Sequence, residues 1–243
     1  MKKSIASAGR LAAAASGLAA ASYAAYVATT WWRYGHVHPR VADNEQDRLL
    51  DQFMPTYDVV ERHHVRVDAP AEVTLAAATE MYLEQSSLVR WIFKAREWIM
   101  NSHPRPETEA RPFLARMREI GWGVLAEIPG REIVMGAVTR PWMADVVFRP
   151  LPPEAFASFH EPDFVKIVWT LRADPLGPGE SMFRTETRVA TTDAAARAKF
   201  RRYWSFASPG IVLIRWASLR PLKAEAERRM LAAAHSKTAE ATS

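Results

Sequence analysis

The chain of 243 residues is 49% apolar, 24% charged and 10% aromatic, and its lack of cysteine excludes a disulfide scaffold, a thiol nucleophile and a thiolate zinc site. The formal net charge of +5 comes from residues 1–40, which hold five basic residues and no acidic one, while the remaining body is electroneutral. A neutral body argues against binding to nucleic acid.

The first predicted element is an apolar segment from Leu11 to Trp32, which holds no ionisable group except the phenols of Tyr23 and Tyr26. As a helix it would be about 33 Å long, enough to cross the hydrocarbon core of a bilayer. We expect residues 1–35 to be a single-pass membrane anchor that places the body on the outer, periplasmic or extracytoplasmic side. A cleaved secretory signal of a secreted protein, and an alanine-rich soluble or interfacial helix of a cytoplasmic one, stay open as alternatives.

Residues 36–56 are predicted to form a polar linker that contains one short helix. Asp43 or Asn44 is a suitable N-cap for this helix, which would run through Phe53 and stop before Pro55. The main domain is expected over residues 57–234 and a disordered tail over residues 235–243.

Within the main domain, the residue pattern predicts one strand, then helices, then more strands, then a long helix. The first strand is Val59–Val67, and helices are expected to begin near Pro70, over residues 87–100 and over residues 112–120, with a loop at residues 101–109. Five further strands are predicted over residues 122–127, 132–138, 144–149, 164–172 and 182–191. Asp193 would cap a long helix over residues 194–234, interrupted at Ser208-Pro209-Gly210.

This order of elements predicts an α+β fold in which a curved antiparallel sheet wraps around the long C-terminal helix. A single helix laid across a curved sheet leaves space between the two, so the order also predicts a cavity.

Several segments of the chain resemble the START-like, or SRPBCC, superfamily with its helix-grip fold. They are residues 132–138 (EIVMGAV), 164–171 (FVKIVWTL), 183–189 (FRTETRV), Thr192-Asp193, 200–204 (FRRYW) and 209–215 (PGIVLIR). The resemblance covers about residues 57–232. It implies binding of an apolar molecule between the sheet and the long helix, as in the lipid-transfer domains, the birch-pollen-allergen group and the polyketide cyclases of this superfamily.

Alternation along the strands and helical spacing along the last helix predict which side chains face that cavity. The predicted ligand-binding residues are Trp122, Met135, Ile167, Trp169, Phe183, Thr185, Thr187, Phe200, Tyr203, Trp204, Ile211 and Arg215. A filled core made of the same residues is the alternative interpretation. Arg184, Glu186 and Arg188 point to the other face of their strand and are expected to form a solvated charged ladder.

Known catalytic sequence motifs are missing from the chain, and His36-x-His38 alone makes no persuasive metal site. Adjacent His63 and His64 are expected on opposite faces of their strand. Glu127, Tyr203 and His160 are candidates for acid or base work. We predict neither a metal nor a cofactor.

These observations favour a membrane-tethered protein that binds an apolar or amphipathic small molecule, lipid or polyketide-like, for sequestration or transfer. The expected partners are this ligand and the bilayer that Leu11–Trp32 would enter, whereas the oligomeric state is left open. A cyclase or hydratase that uses the same cavity, and a membrane-attached protein-interaction module with a filled cavity, are the alternatives.

Overall fold

The computed structural model describes residues 2–36, 46–81 and 111–242, with the side chains of residues 14–36, 46–81 and 111–236. The predicted helix at residues 87–100 and the predicted loop at residues 101–109 lie outside these ranges. The described helices are α1 (Lys2–Arg33), α2 (Arg48–Phe53), α3 (Ala71–Glu80), α4 (Phe113–Glu119), α5 (Pro153–Phe156) and α6 (Ala194–Thr242). The strands are β1 (Val59–Val67), β2 (Gly123–Ile128), β3 (Glu132–Thr139), β4 (Val165–Gly177) and β5 (Glu180–Thr191).

The five strands form one antiparallel sheet in the order β1-β5-β4-β3-β2. Strand β1 pairs with β5 along its whole length, from Val59 opposite Val189 to Val67 opposite Ser181. The other strands follow one another as a meander. The predicted α+β class with an antiparallel sheet and a long C-terminal helix is confirmed, and the arrangement fits a helix-grip fold.

Both faces of the sheet are covered by other elements. On the inner face, Met135 and Trp169 belong to one apolar cluster with Leu222 of α6 and residues of α3. On the outer face, Val134 and Val168 pack with α2 and with the short helix α5. Because neighbouring side chains of a strand point to opposite faces, every residue of β3 is buried.

Aspartate side chains cap the helices that lie on the two faces. Asp193 accepts a hydrogen bond from the backbone N–H of Ala196 at 2.7 Å, which confirms the predicted cap of α6. Asp47, rather than the predicted Asp43 or Asn44, caps α2 and accepts from the N–H of Leu50 at 2.8 Å. The cap lies later in the chain because α2 is only six residues long and begins at Arg48.

Asp58 joins the end of α1 to the sheet and to α6. Its carboxylate accepts a hydrogen bond from the N–H of Thr191 at 2.8 Å and pairs with Arg197. Its backbone carbonyl accepts from the N–H of Gly35 at 3.1 Å, just beyond the last residue of α1. Three elements that are distant in the sequence are therefore fixed at one residue.

Helix α6 is longer and more continuous than expected. It runs through Pro209 and Pro221, so the predicted interruption at Ser208-Pro209-Gly210 is wrong. Each proline removes one backbone hydrogen bond, but buried side chains on both sides of Pro209, such as Trp204 and Leu222, hold the helix on the sheet. The helix continues to Thr242 instead of ending in a disordered tail at residue 235, because no glycine or proline follows Pro221.

The strand predicted over residues 144–149 is absent from the described structure. A single pair of hydrogen bonds joins Val138 to Arg149, and Val147 is 75% exposed. Pro141 and Pro150 flank the segment, and proline cannot donate a hydrogen bond to a neighbouring strand. The segment therefore makes a bridge and does not add a sixth strand.

Helix α1 extends beyond the predicted apolar segment and lies against α6. The phenol of Tyr23 donates to the carbonyl of Phe206 at 2.7 Å, and the hydroxyl groups of Tyr26 and Ser208 are 3.0 Å apart. Arg201 donates to the carbonyl of Trp31. In the part of the chain that the structure describes, no helix has the length and apolarity required to cross a membrane.

Candidate functional site

A group of polar side chains lies on the otherwise apolar inner face of the sheet, on the paired strands β1 and β5. Glu61 lies opposite Thr187 and His63 lies opposite Thr185, so all four side chains share one face. Arg215 reaches this group from α6, and its Nη1 donates to Thr185 Oγ1 at 3.2 Å. We call these five residues the inner polar cluster.

Three atoms of the inner polar cluster are buried and have no hydrogen-bond partner among the described residues. They are Nε2 of His63, Oγ1 of Thr187 and Nε of Arg215. The nearest acid to His63 is Glu61, whose Oε2 is 3.9 Å from Nε2, beyond hydrogen-bond distance. Buried polar atoms are almost always paired in folded proteins, so three unpaired atoms in one place call for an explanation.

Burial changes the protonation behaviour of this cluster. It lowers the pKa of Arg215 to about 10, although Glu61 favours the charged guanidinium. It raises the pKa of Glu61, against the effect of Arg215. It lowers the pKa of His63, and the positive charge of Arg215 acts in the same direction. At neutral pH the cluster therefore holds a neutral imidazole beside a poorly solvated cation.

Apolar side chains border the inner polar cluster at both ends. Toward α3 and α4, the ring centroids of Trp122 and Trp169 are 5.8 Å apart, and Phe183 packs in the same apolar cluster. Toward the start of α6, the ring centroids of Phe200 and Trp204 are 5.9 Å apart. The inner face thus holds a polar centre between two buried apolar clusters.

The twelve predicted ligand-binding residues all lie along this face, and they fall into three groups. Thr185, Thr187 and Arg215 belong to the inner polar cluster. Trp122, Met135, Trp169 and Phe183 lie in the apolar cluster toward α3. Phe200, Tyr203, Trp204 and Ile211 lie in the apolar cluster at the start of α6, and Ile167 contacts both apolar clusters. That these residues bind a ligand stays a prediction.

Sequence reasoning did not select Glu61 and His63 for this site. The alternation of β1 places them on the same side as Val65 and Val67, which is the signal that identifies them. Of the predicted acid or base candidates, Glu127 and His160 are exposed. Tyr203 is half-buried and packs against Phe200.

The charged ladder on the outer face of β5 is buried, which corrects the prediction of a solvated surface. Glu186 and Arg188 are 6% and 3% exposed, because α2 and the chain that follows it cover them. Arg62 donates to Glu186 at 2.9 Å, and Arg188 donates to Glu186 at 2.7 Å, to Asp51 at 2.6 Å and to the carbonyl of Met54 at 2.8 Å. We call this group the outer ion-pair network.

A cavity of about 170 Å³ lies next to the outer ion-pair network. Its lining includes Asp47, Arg62, His64, Arg172 and Glu186, together with His63 and Thr185 of the inner polar cluster. Arg172 donates to Asp174 at 2.8 Å and Arg62 donates to Glu186, so these arginines are already paired. Among the residues that the structure describes, no group of three or more histidine or acidic side chains is arranged to hold a metal ion.

No protein-family model and no curated protein sequence matches the chain. Among solved structures, a hypothetical protein from Helicobacter pylori is 8% identical with a TM-score of 0.39, over 77% of this chain and 99% of that chain. The Zhui aromatase/cyclase from Streptomyces sp. R1128 is 14% identical with a TM-score of 0.25, over 71% and 95%. A START superfamily protein from Mycobacterium smegmatis is 13% identical with a TM-score of 0.24, over 70% and 95%.

A START superfamily protein and an aromatase/cyclase are thus among the solved structures to which the chain is similar. All three TM-scores are below 0.5. The strand order and the long helix α6 define the fold.

Proposed function

We propose that the inner face of the sheet binds a small amphipathic molecule that carries an anionic group. The anionic group would lie at the inner polar cluster, and the apolar part would lie on the aromatic surface next to it. The observation that carries this proposal is the set of three buried polar atoms of His63, Thr187 and Arg215 that have no hydrogen-bond partner in the part of the chain that the structure describes.

The energetics of these three atoms support a ligand with oxygen acceptors. A buried polar group without a partner costs about 1–3 kcal/mol, and a bound oxygen that accepts from it restores that free energy. Nε of Arg215, which has no partner within residues 46–81 and 111–236, lies beside the Nη1 that contacts Thr185, so the guanidinium can contact two oxygens of a carboxylate or sulfonate. Thr187 supplies a hydroxyl that can donate to the same group.

The apolar part of the ligand is supported by the side chains on either side of the polar cluster. Trp169 and Phe183 lie on one side, and Phe200, Trp204 and Ile211 lie on the other. Removal of ligand surface from water contributes roughly 25 cal/mol per Å², so an apolar body supplies affinity while the polar cluster selects the head group.

Two fluorescent probes of similar size test the role of the charge. Anilinonaphthalene sulfonate carries a sulfonate, and N-phenyl-1-naphthylamine has the same ring system without it. We expect Arg215→Met to weaken binding of the sulfonate probe about ten-fold or more, because a charge-assisted hydrogen bond is lost, and to change binding of the neutral probe about two-fold or less.

The matched control is Arg220→Met, which makes the same change at an exposed position of the same helix. This variant should bind both probes like the unchanged protein. Equal affinity of the sulfonate probe for Arg215→Met and for the unchanged protein would contradict the proposal. Circular dichroism of both variants shows whether the fold is retained.

An enzyme that uses the same face is the second candidate function, and the Glu61–His63 pair favours it. A histidine whose pKa is lowered is neutral at pH 7 and can accept a proton, and Glu61 lies 3.9 Å from it. A cyclase or hydratase of this kind would use His63 as the base and Arg215 to stabilise developing negative charge.

Native mass spectrometry of the full chain distinguishes storage from turnover. A carrier should retain an additional small-molecule mass that is released on denaturation. An enzyme should instead change the composition of a small-molecule extract during incubation, and His63→Gln should abolish that change.

A further inference from the structure

The side of α6 that faces away from the sheet carries an exposed stripe of aromatic, aliphatic and basic side chains. Phe206 and Trp216 are each 53% exposed and Leu213 is 40% exposed, and the exposed Arg202 and Arg220 lie at the two ends of the stripe. Steps of three, four and seven residues place all five on one side of a helix. We call these five residues the outer stripe of α6.

A groove between α1 and α6 adjoins the outer stripe. Its volume is about 580 Å³, and its apolar lining includes Val27 and Trp31 of α1 and Phe206 of α6, with Arg202 at its margin. The hydrogen bond from Tyr23 to the carbonyl of Phe206 and the stacking of Arg201 over Trp31 hold the two helices together. Trp32, at the end of α1, is 72% exposed.

Helix α1 and the first 31 residues of α6 contain basic residues but no acidic ones. Residues 194–224 contain seven basic residues and no acidic one, and residues 1–36 contain four basic residues and no acidic one. Arg197, Lys199 and Lys223 pair with acidic residues, and Arg215 faces the sheet. Arg201, Arg202 and Arg220 lie on the side of α6 next to the groove and the outer stripe, and they make this surface cationic. A partner for this region must offer negative charge and also cover apolar side chains.

We propose that the outer stripe of α6 and the groove beside it lie on the surface of an anionic lipid bilayer, with α1 and α6 parallel to the membrane plane. Tryptophan, phenylalanine and arginine on one exposed helical side are the residues with which helices bind the interfacial region of a bilayer. A nucleic acid would match the arginines but leave the aliphatic and aromatic side chains exposed. A second copy of the chain would bring two cationic surfaces together, which opposes association.

This arrangement differs from the predicted anchor, because α1 contributes one wall of a surface groove and does not need to cross the bilayer. It is also independent of the inner polar cluster, because Arg215 points to the sheet while Arg202 and Arg220 point away from it.

Flotation of the full chain with lipid vesicles tests the proposal. We expect the protein to bind vesicles of phosphatidylcholine with 30% phosphatidylglycerol at 100 mM salt and to be released at 500 mM salt, where surface charges are screened. Vesicles of phosphatidylcholine alone should bind much more weakly. Arg202→Ala with Arg220→Ala should lower the partition coefficient on the anionic vesicles about 30-fold.

Matched substitutions separate the charge from the apolar contact. Leu213→Ser should weaken binding to the anionic vesicles, whereas Leu176→Ser, at a leucine that is 50% exposed near the end of β4, should not. Arg118→Ala on α4 serves as the control for the two arginines. All of these positions are exposed, and circular dichroism shows that the fold is retained.

Three outcomes would overturn the proposal. One is a lack of flotation with anionic vesicles, and the second is equal binding to neutral and anionic vesicles. The third is a stable dimer in solution that Leu213→Ser dissociates while flotation is unaffected, because the surface would then be covered by a second copy of the chain.

Discussion

The polar side chains on the two faces of the β1–β5 pair differ in whether their buried atoms have hydrogen-bond or ion-pair partners. On the outer face, Glu186 and Arg188 are almost fully buried and every charge has a partner. On the inner face, His63, Thr187 and Arg215 each have a buried atom without one among the described residues. The same two strands thus hold a completed network on one side and an incomplete cluster on the other. The completed network fixes structure, whereas the incomplete cluster is the place where we propose that a ligand binds.

The largest expected effect is on the free energy of unfolding, and it is tested by comparing one substitution on the outer face with one on the inner face. Arg188→Met leaves the buried Glu186 with Arg62 alone and should lower the free energy of unfolding by about 3 kcal/mol. Arg215→Met removes a cation whose Nε has no partner among the described side chains and should change that free energy by about 1 kcal/mol or less. Urea denaturation measures both values. Equal losses would show that the two faces do not differ in the way described.

The outer face also contains a buried carboxyl pair that makes stability depend on pH. Thr170 donates to Glu132 at 3.0 Å, and burial together with the neighbouring carboxylate of Asp47 raises the pKa of Glu132 to about 8. The folded chain therefore holds a proton that the unfolded chain releases near pH 4.5. Stability should fall as the pH rises from about 4.5 to about 8.

Glu132→Gln tests this pH dependence because the amide is neutral at every pH and can still accept from Thr170. We expect the variant to be more stable than the unchanged protein by about 2 kcal/mol at pH 8.5 and nearly equal to it at pH 4.5. Thermal unfolding at both pH values measures the difference. A parallel pH profile for the two proteins would exclude Glu132 as its source.

A smaller effect is expected from two threonines that are replaced by the isosteric valine. Thr170→Val removes a buried hydroxyl that donates to Glu132 and should destabilise the protein by about 1 kcal/mol. Thr187→Val removes a buried hydroxyl without a partner among the described residues and should be neutral or slightly stabilising. Denaturant midpoints compare the two variants, and a loss of stability in Thr187→Val would mean that its hydroxyl has a structural partner.

The smallest expected effect is on the pH dependence of probe binding at the inner face. Burial raises the pKa of Glu61 and lowers that of His63, and both groups gain protons as the pH falls. Protonation removes a carboxylate that competes for Arg215 and adds a cation, so the sulfonate probe should bind about three-fold more tightly at pH 5 than at pH 7. Fluorescence titration measures this change. Glu61→Gln should reduce it, and the neutral probe should not show it.

The sequence predicted the strands well wherever the pattern was local. Strand β1 has the predicted bounds, and β2 to β5 begin within two residues of their predicted starts. The segment at residues 144–149 has the same apolar character, but prolines on either side prevent it from joining the sheet. Helix α6 passes through Pro209 because it packs against the sheet. This packing cannot be recognised from the residues next to Pro209.

The candidate site was predicted only in part, because some of its residues are brought together by elements that are distant in the sequence. Helical spacing identified Arg215, and strand alternation identified Thr185 and Thr187. Glu61 and His63 were not selected, because their placement opposite those threonines depends on the pairing of β1 with a strand at the other end of the domain. The burial of Glu186 likewise depends on α2, which folds back over the outer face.

The strand order has a consequence for how the chain acquires its structure during synthesis. Strands β2 to β5 are neighbours in sequence as well as in space and can pair as they emerge from the ribosome, whereas β1 emerges early and waits for β5. Until then β1 is an unpaired edge that a chaperone or another chain can bind. The inner polar cluster combines side chains of β1, β5 and α6, so it cannot form before the last of these elements has been synthesised.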